Sequence, residues 1–253
     1  MTERFVADTA RLTERTLRHI ARSPDTIMTT TIMPIAFMLL FVYVFGGAMG
    51  AHAKPYVHYL LPGILVITIA SSVSYTGFRL FMDVQSGLVQ RLRSMPVSRA
   101  SILWAHVCTS LLATFASLGV VVATAVLIGF RANVGALQWC AVVGILTVLT
   151  LALTWLAVVA GLSATTLDGA TAFSYPLILL PFVSSAFVRT STMPGPVRTF
   201  AELQPVTPIV TALRNLLSGR PVGASIWIAL AWCMGILVAS YALAMPIFRR
   251  RAR

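Results

Sequence analysis

Charged residues are spaced along this chain in a way that leaves few folds open. Six intervals of 20 residues or more carry no Asp, Glu, Lys or Arg: 26–53, 55–78, 100–130, 132–167, 169–188 and 221–248. The next longest, 203–213, has 11 residues. A membrane-spanning helix needs about 20 apolar residues, and one charge at its centre costs roughly 2.5–3.5 kcal/mol. The six intervals therefore predict an all-α membrane protein with six transmembrane helices. A membrane β-barrel is excluded, because its strands alternate in polarity over segments of about 10 residues. Only 10% of the residues are charged, against about 25% in a soluble domain, and the mean hydropathy is +0.87. Lipid, not water, suits that surface.

The chain reads as one membrane domain over 1–253, with spans at about 26–45, 56–78, 102–130, 136–164, 171–188 and 222–248. Before them, residues 5–22 read as an amphipathic helix. Arg11, Arg15, Arg18 and Arg22 recur at helical spacing on one narrow face, with Phe5, Val6, Leu17 and Ile20 opposite. Such a helix can lie in the membrane interface with its arginines among lipid phosphates; an ordinary solvated face is the alternative. Net charge is +12, and 18 of the 19 basic residues are arginine. They flank apolar runs, so they speak for topology and anionic headgroups and not for nucleic acid. With the N-terminus inside, 13 basic residues fall on inner segments and 6 on outer ones. Both termini are expected in the cytoplasm, in a multi-pass plasma-membrane protein. Residues 189–221 form a long outer segment containing LQPVTPIVTAL, too short to span and holding Pro205 and Pro208, which break helices. Its polar backbone must be covered by protein or water, so a re-entrant or interfacial hairpin is expected before span six, a plain loop being the alternative.

The polar island 81–101 lies between spans two and three, on the inner side. Asp83 is placed to cap a helix over about 84–94, along which Val84, Leu88, Leu92 and Met95 make an apolar stripe. Pro96 disfavours helical geometry at Met95, and Ser98 is placed to cap the next helix. The expectation is a short helix parallel to the membrane, flanked by Arg91, Arg93 and Arg99. The alternative is a solvated loop whose arginines only fix topology.

Self-contained catalysis has no residues to work with. Neither H-E-x-x-H nor G-x-S-x-G occurs. A Walker A loop needs Gly-Lys-Ser/Thr, and the sole lysine, Lys54, sits between Ala53 and Pro55. Leu217-Ser218-Gly219 faintly echoes an ATPase signature and is read as chance. Cys108, Cys140 and Cys233 fall inside spans and suggest neither a disulfide framework nor a metal site. His52 and His58 flank the first outer loop, while His19 and His106 stand alone. Asp83 and Asp168 are the acids near the spans, both at expected cytoplasmic ends, so Asp168 reads as a boundary residue and not a proton carrier. Hydroxyl residues recur within the spans. Ser71, Ser74, Ser184, Ser185 and Phe187 are candidates to line a path for an amphipathic substrate, close helix packing being the plainer reading.

Three stretches resemble the permease subunits of type-2 ABC exporters, and within them the daunorubicin/doxorubicin-resistance group of actinobacteria. SPDTIMTTTIMPIAFMLLFVYVFGGAM (23–49) is similar to that group's entry into the first span. MDVQSGLVQRLRSMPVSRASILWAHV (82–107) is similar to its coupling loop, with Gly87, Arg91, Arg93, Pro96, Ser98 and Arg99 at matching places. LPFVSSAFVRTSTMPGPVRTFAELQPVTPIVTALRNLLSG (180–219) is similar to its end of span five and re-entrant region. Arg189 departs from the proline usual in that group, and Gln204 from the asparagine usual before Pro205. The resemblance implies a permease dimer of like or unlike chains, working with two separate ATPase subunits that hold ATP and magnesium. No cofactor is implied in this chain. The ATPases would press on Asp83, Gly87, Leu88, Arg91, Leu92, Arg93, Pro96 and Arg99, and the N-terminal helix would assist. The cargo would be an amphipathic drug, polyketide or lipid. Two other classes stay open on the residues: an ion-coupled carrier acting alone, and a non-transporting assembly or immunity subunit.

Overall fold

The computed structural model of the protein describes residues 9, 10, 13, 14, 16–18, 23–46, 53–86, 99–132 and 134–251. Every regular element among them is helical. Helix α1 covers 24–45, α2 Ala53–Gln85, α3 Arg99–Ile128 and α4 Ala136–Ser163. Two short helices follow, α5 (Leu167–Ala172) and α6 (Ser174–Leu179), with a 3-10 turn at Leu180–Val183. Then come α7 (Gly195–Leu203), α8 (Val206–Leu217) and the last helix, α9 (Ser225–Arg251). Among the described residues four helices are long and apolar enough to cross a bilayer, over Tyr56–Gln85, Leu103–Ile128, Ala136–Ser163 and Ser225–Phe248. Shorter apolar helical stretches run over Met28–Val44, Leu167–Val183 and Val206–Leu217. The expectation of an apolar, all-helical chain is met.

The long helices divide the work of burial. In the most apolar stretch of α2, 83% of the residues are inside the protein, and in α4 61%; the figures for α3 and α9 are 28% and 22%. So α2 and α4 are the core, and α3 and α9 turn apolar side chains such as Leu112, Leu127, Trp227 and Val238 outward. At a bilayer depth, lipid chains are as apolar as leucine, and association relies on close packing of small residues. The crossings of α2 with α4 and α5 show this. A Cβ on Gly161 of α4 would come 2.7 Å from the carbonyl oxygen of Gly77, and one on Gly77 would come 2.8 Å from that of Ala170 of α5. A second core gathers where α2, α3, α4 and α9 meet, around Leu80, Leu103, Trp155 and Phe248.

Several boundaries differ from the sequence expectation, each for a local reason. Helix α2 does not stop at residue 78; it runs through Arg79 to Gln85. Asp83 is therefore inside α2 and is not the N-cap of a helix beginning at 84, which corrects its expected capping role. The fifth interval is not one helix over 171–188. It breaks near Phe173 and again at Leu180, because Pro176 and Pro181 lack the N–H for an i→i−4 bond and their rings crowd the preceding turn. Pro205 and Pro208 do the opposite of breaking α8: they stand at its N-cap and in its first turn, where no donor is needed. α1 contains two π-helical turns, Met28–Ile32 and Leu40–Phe45. The first sits just before Pro34, where an ordinary turn would demand a bond that proline cannot give. The last helix starts at Ser225, three residues later than 222. Leu217-Ser218-Gly219 turns out to be the C-terminus of α8. The Gly219 and Arg220 amides close back on Leu216 and Asn215 at 3.2 and 2.9 Å, with Gly219 at φ 67°.

Candidate functional site

Helices α1, α2 and α3 enclose a cavity of about 530 Å³ that the residues 16 and 17 also line. From α2 it receives Ser72, Tyr75, Thr76 and Arg79, spaced i, i+3, i+4 and i+7 and so on one face. From α3 it receives His106, Thr109 and Ser110 at one end and Leu112, Ala116 and Val120 beyond. Much of the hydroxyl lining is already paired. Thr76 donates to Ser110 at 2.9 Å, Ser110 meets Thr154 at 3.1 Å, and Thr31 meets Ser117 at 2.9 Å. Four polar atoms are not. Ser72 Oγ, Thr109 Oγ1 and Arg79 Nη1 and Nη2 are buried without a hydrogen-bond partner among the described residues. The Arg79 guanidinium lies over the Tyr75 ring, Cζ 4.5 Å from its centroid. Asp83, one turn further on, is near enough to attract it. Its carboxylate, however, is bonded to His106 Nε2 at 3.1 Å. His106 is thus not the solitary residue the sequence suggested. It ties the end of α2 to the start of α3, at the base of the segment 87–98.

A second polar centre lies where the broken fifth helix meets α2 and α8. The backbone at 184–187 is not helical, so its carbonyls need partners at membrane depth. Arg214 of α8 supplies them. Its Nη2 donates to Ser185 O at 2.8 Å, Tyr59 O at 3.1 Å and Ala186 O at 3.3 Å. Its guanidinium stacks on the Tyr59 ring, Cζ 3.8 Å from the centroid. The Tyr59 hydroxyl donates to Ser185 O at 3.0 Å, and Gln204 Nε2 donates to Val183 O at 2.5 Å and Leu180 O at 3.3 Å. Thr207 Oγ1 accepts from the Ser185 amide at 3.3 Å. Residues 195–217 therefore act as a clamp that satisfies an interrupted helix.

The structure gathers some of the proposed path residues and separates others. Ser184, Ser185 and Phe187 lie together at the clamp, where Ser184 Oγ is spent on Pro181 O at 2.6 Å and Phe187 is stacked on Phe41 and Phe182 at 4.5 and 4.9 Å. Ser74 is elsewhere, donating to Ser174 at 2.8 Å, and Ser71 is buried on α2. None of these five lines the cavity. Its α2 residues are their neighbours Ser72, Tyr75, Thr76 and Arg79. Sequence counting treated Arg79 and Arg214 as topology markers and missed both as sites. For Arg79 a local signal existed, a tyrosine four residues earlier; for Arg214 the partners are 155, 29 and 28 residues away. Asp168 is exposed in the first turn of α5, beside the Thr166 cap, as a boundary residue should be. Of the N-terminal arginines, Arg18 is exposed and paired with Glu14 at 2.6 Å, while Arg11, Arg15 and Arg22 lie outside the described residues. So do Gly87, Leu88, Arg91, Leu92, Arg93 and Pro96; Arg99 opens α3. Among the described residues no cluster of His, Cys, Asp or Glu could hold a metal ion.

Comparison with known proteins bears on the chain nearly end to end. The family model for ABC-2 type transporters matches residues 8–217. The daunorubicin resistance ABC transporter permease protein DrrB1 of Streptomyces coeruleorubidus is 30% identical over 250 residues, covering 93% of this chain and 86% of that protein. The probable doxorubicin resistance ABC transporter permease protein DrrC of Mycobacterium tuberculosis is 28% identical over 252 residues, covering 98% and 90%. A chain of apolar helices without a nucleotide loop, matched over this length, belongs to the ABC-2 type transporter family and is the membrane permease subunit of an ABC exporter, with ATP hydrolysis on a separate subunit.

Proposed function

We propose that this permease pairs with a second permease chain above two ATPase subunits and exports an amphipathic drug, polyketide or lipid. The chain would cross the membrane six times with both termini in the cytoplasm. α1 and the α5–α6 stretch would serve as the first and fifth crossings beside the four long helices. The stretch Leu167–Val183 has 17 residues and reaches about 25 Å at 1.5 Å per residue, short of a bilayer core of about 30 Å. The clamp at 195–217 would complete that crossing on the outer side. The N-terminal helix, with Arg11, Arg15, Arg18 and Arg22, would lie in the inner interface among lipid headgroups.

The observation that carries the coupling is the continuity of α2. It runs unbroken from Ala53 to Gln85 and is tied to α3 through Asp83 and His106 at 3.1 Å. A push on the segment 81–101, through Gly87, Leu88, Arg91, Leu92, Arg93, Pro96 and Arg99, would then move the core helix itself. The cargo class follows from the relatives, whose names concern daunorubicin and doxorubicin resistance. The test is Arg91→Glu in the assembled transporter. Efflux and ATPase association should both be lost while membrane insertion is unchanged. Normal efflux with normal ATPase association would remove the segment from the mechanism.

A further inference from the structure

We propose that the cavity between α1, α2 and α3 binds the oxyanion headgroup of an acidic amphiphile. Arg79 is the charge partner and Ser72 and Thr109 are the hydrogen-bond donors. The proposal deepens the export reading above and rests on it. Three observations carry it. First, the two Nη atoms of Arg79 are buried with no acceptor in hydrogen-bond geometry among the described residues. A guanidinium whose Nη donors are buried without an acceptor is costly, and such a group marks a binding site more often than a structural need. Second, the carboxylate one turn away is engaged by His106 at 3.1 Å, so Asp83 attracts Arg79 without occupying its donors. Third, Ser72 and Thr109 are also orphaned, on the two facing helices of the same cavity. Hydroxyls in helices usually bond back to the carbonyl four residues earlier, as Thr68 does on the same helix at 2.8 Å. Ser72 and Thr109 do not, so their hydroxyls are uncommitted. A guanidinium with two hydroxyl donors is the donor set of a phosphate, sulfate or carboxylate site. The remainder of the cavity is apolar, through Leu112, Ala113, Ala116 and Val120. Its volume of about 530 Å³ falls within the roughly 300–1,000 Å³ of pockets for drug-sized ligands. A charged head attached to an apolar body fits both halves.

The same oxyanion chemistry could come from a free anion, and the test separates the two. The full chain is purified in dodecyl maltoside, and bound dodecyl phosphate is counted by native mass spectrometry. Dodecyltrimethylammonium and inorganic phosphate serve as competitors. Saturable binding of one dodecyl phosphate per chain is expected. Arg79→Gln should weaken it by about tenfold or more, with Arg79→Lys retaining part of it. The pair Ser72→Ala and Thr109→Val should weaken it about threefold to tenfold, and carries the test if Arg79→Gln does not fold. Equal affinity in Arg79→Gln, equal affinity for the cationic amphiphile, or no saturable binding would each overturn the proposal. Displacement by equimolar inorganic phosphate would assign the site to free anions and overturn the amphiphile. The assay needs no ATPase. Failure of efflux in the assembled transporter would thus be a separate result, against the export reading and not against the site.

Discussion

Arg79 and Arg214 each lie over a tyrosine of α2, Tyr75 and Tyr59 respectively, and they are opposites in every other way. The two tyrosines are 16 residues apart, about 24 Å along the helix. Arg214 spends its donors on two backbone carbonyls just past the broken fifth helix, Ser185 O and Ala186 O, and on Tyr59 O of α2. Arg79 has the Tyr75 side chain beneath it, and neither of its Nη atoms has an acceptor among the described residues. In a bilayer, where a charge costs so much, a fully paired arginine is a structural device and an unpaired one is there for a partner. The difference separates a clamp that holds shape from the cavity proposed above as a binding site.

The largest expected effect breaks the clamp. Arg214→Ala leaves the carbonyls of Tyr59, Ser185 and Ala186 short of a donor, and the cost should be about 3–5 kcal/mol, read as a steep fall in thermal midpoint or loss of folded protein in detergent. A midpoint unchanged within a few degrees would mean that the clamp does not bear on stability. Gln204→Ala comes next, at about 1–3 kcal/mol, because Val183 O and Leu180 O lose their amide donor. Tyr59→Phe removes one hydroxyl bond to a carbonyl that Arg214 still serves, and should cost about 1 kcal/mol in the same measurement. Arg79→Met should cost nothing, or raise the midpoint slightly, since replacing a buried unpaired charge by an apolar side chain of similar length is neutral or favourable. A large fall for Arg79→Met would erase the contrast and make both arginines structural.

Much of the fold was legible because charge placement is a blunt and reliable signal in lipid. The intervals 55–78, 100–130, 132–167 and 221–248 each hold one of the four long helices. What charge placement cannot report is where a helix tolerates a charge. α2 passes straight through Arg79 because a cavity receives the guanidinium, so a boundary drawn at 78 falls short of Gln85. Nor does it see proline, whose missing donor at 176 and 181 splits the fifth interval although no charge interrupts it. The candidate site was less legible. Ser184 and Ser185 were singled out as hydroxyls at membrane depth, and they are at the clamp, but Ser184 serves the backbone there. His106 matters through Asp83 on another helix, and Ser72 and Thr109 through the cavity their helices share, which spacing along one chain does not encode.

The Gly77–Gly161 contact sets a mechanical ratio. It lies 6 residues from Asp83 and 18 from Tyr59 along α2. At 1.5 Å per residue these arms are about 9 and 27 Å. A rod rocking on that fulcrum would multiply a small displacement at its Asp83 end about threefold at its Tyr59 end, less what Pro62 in the longer arm takes up by bending. A shift of about 1.5 Å beneath Asp83 would move Tyr59, and the arginine stacked on it, by most of a helix turn.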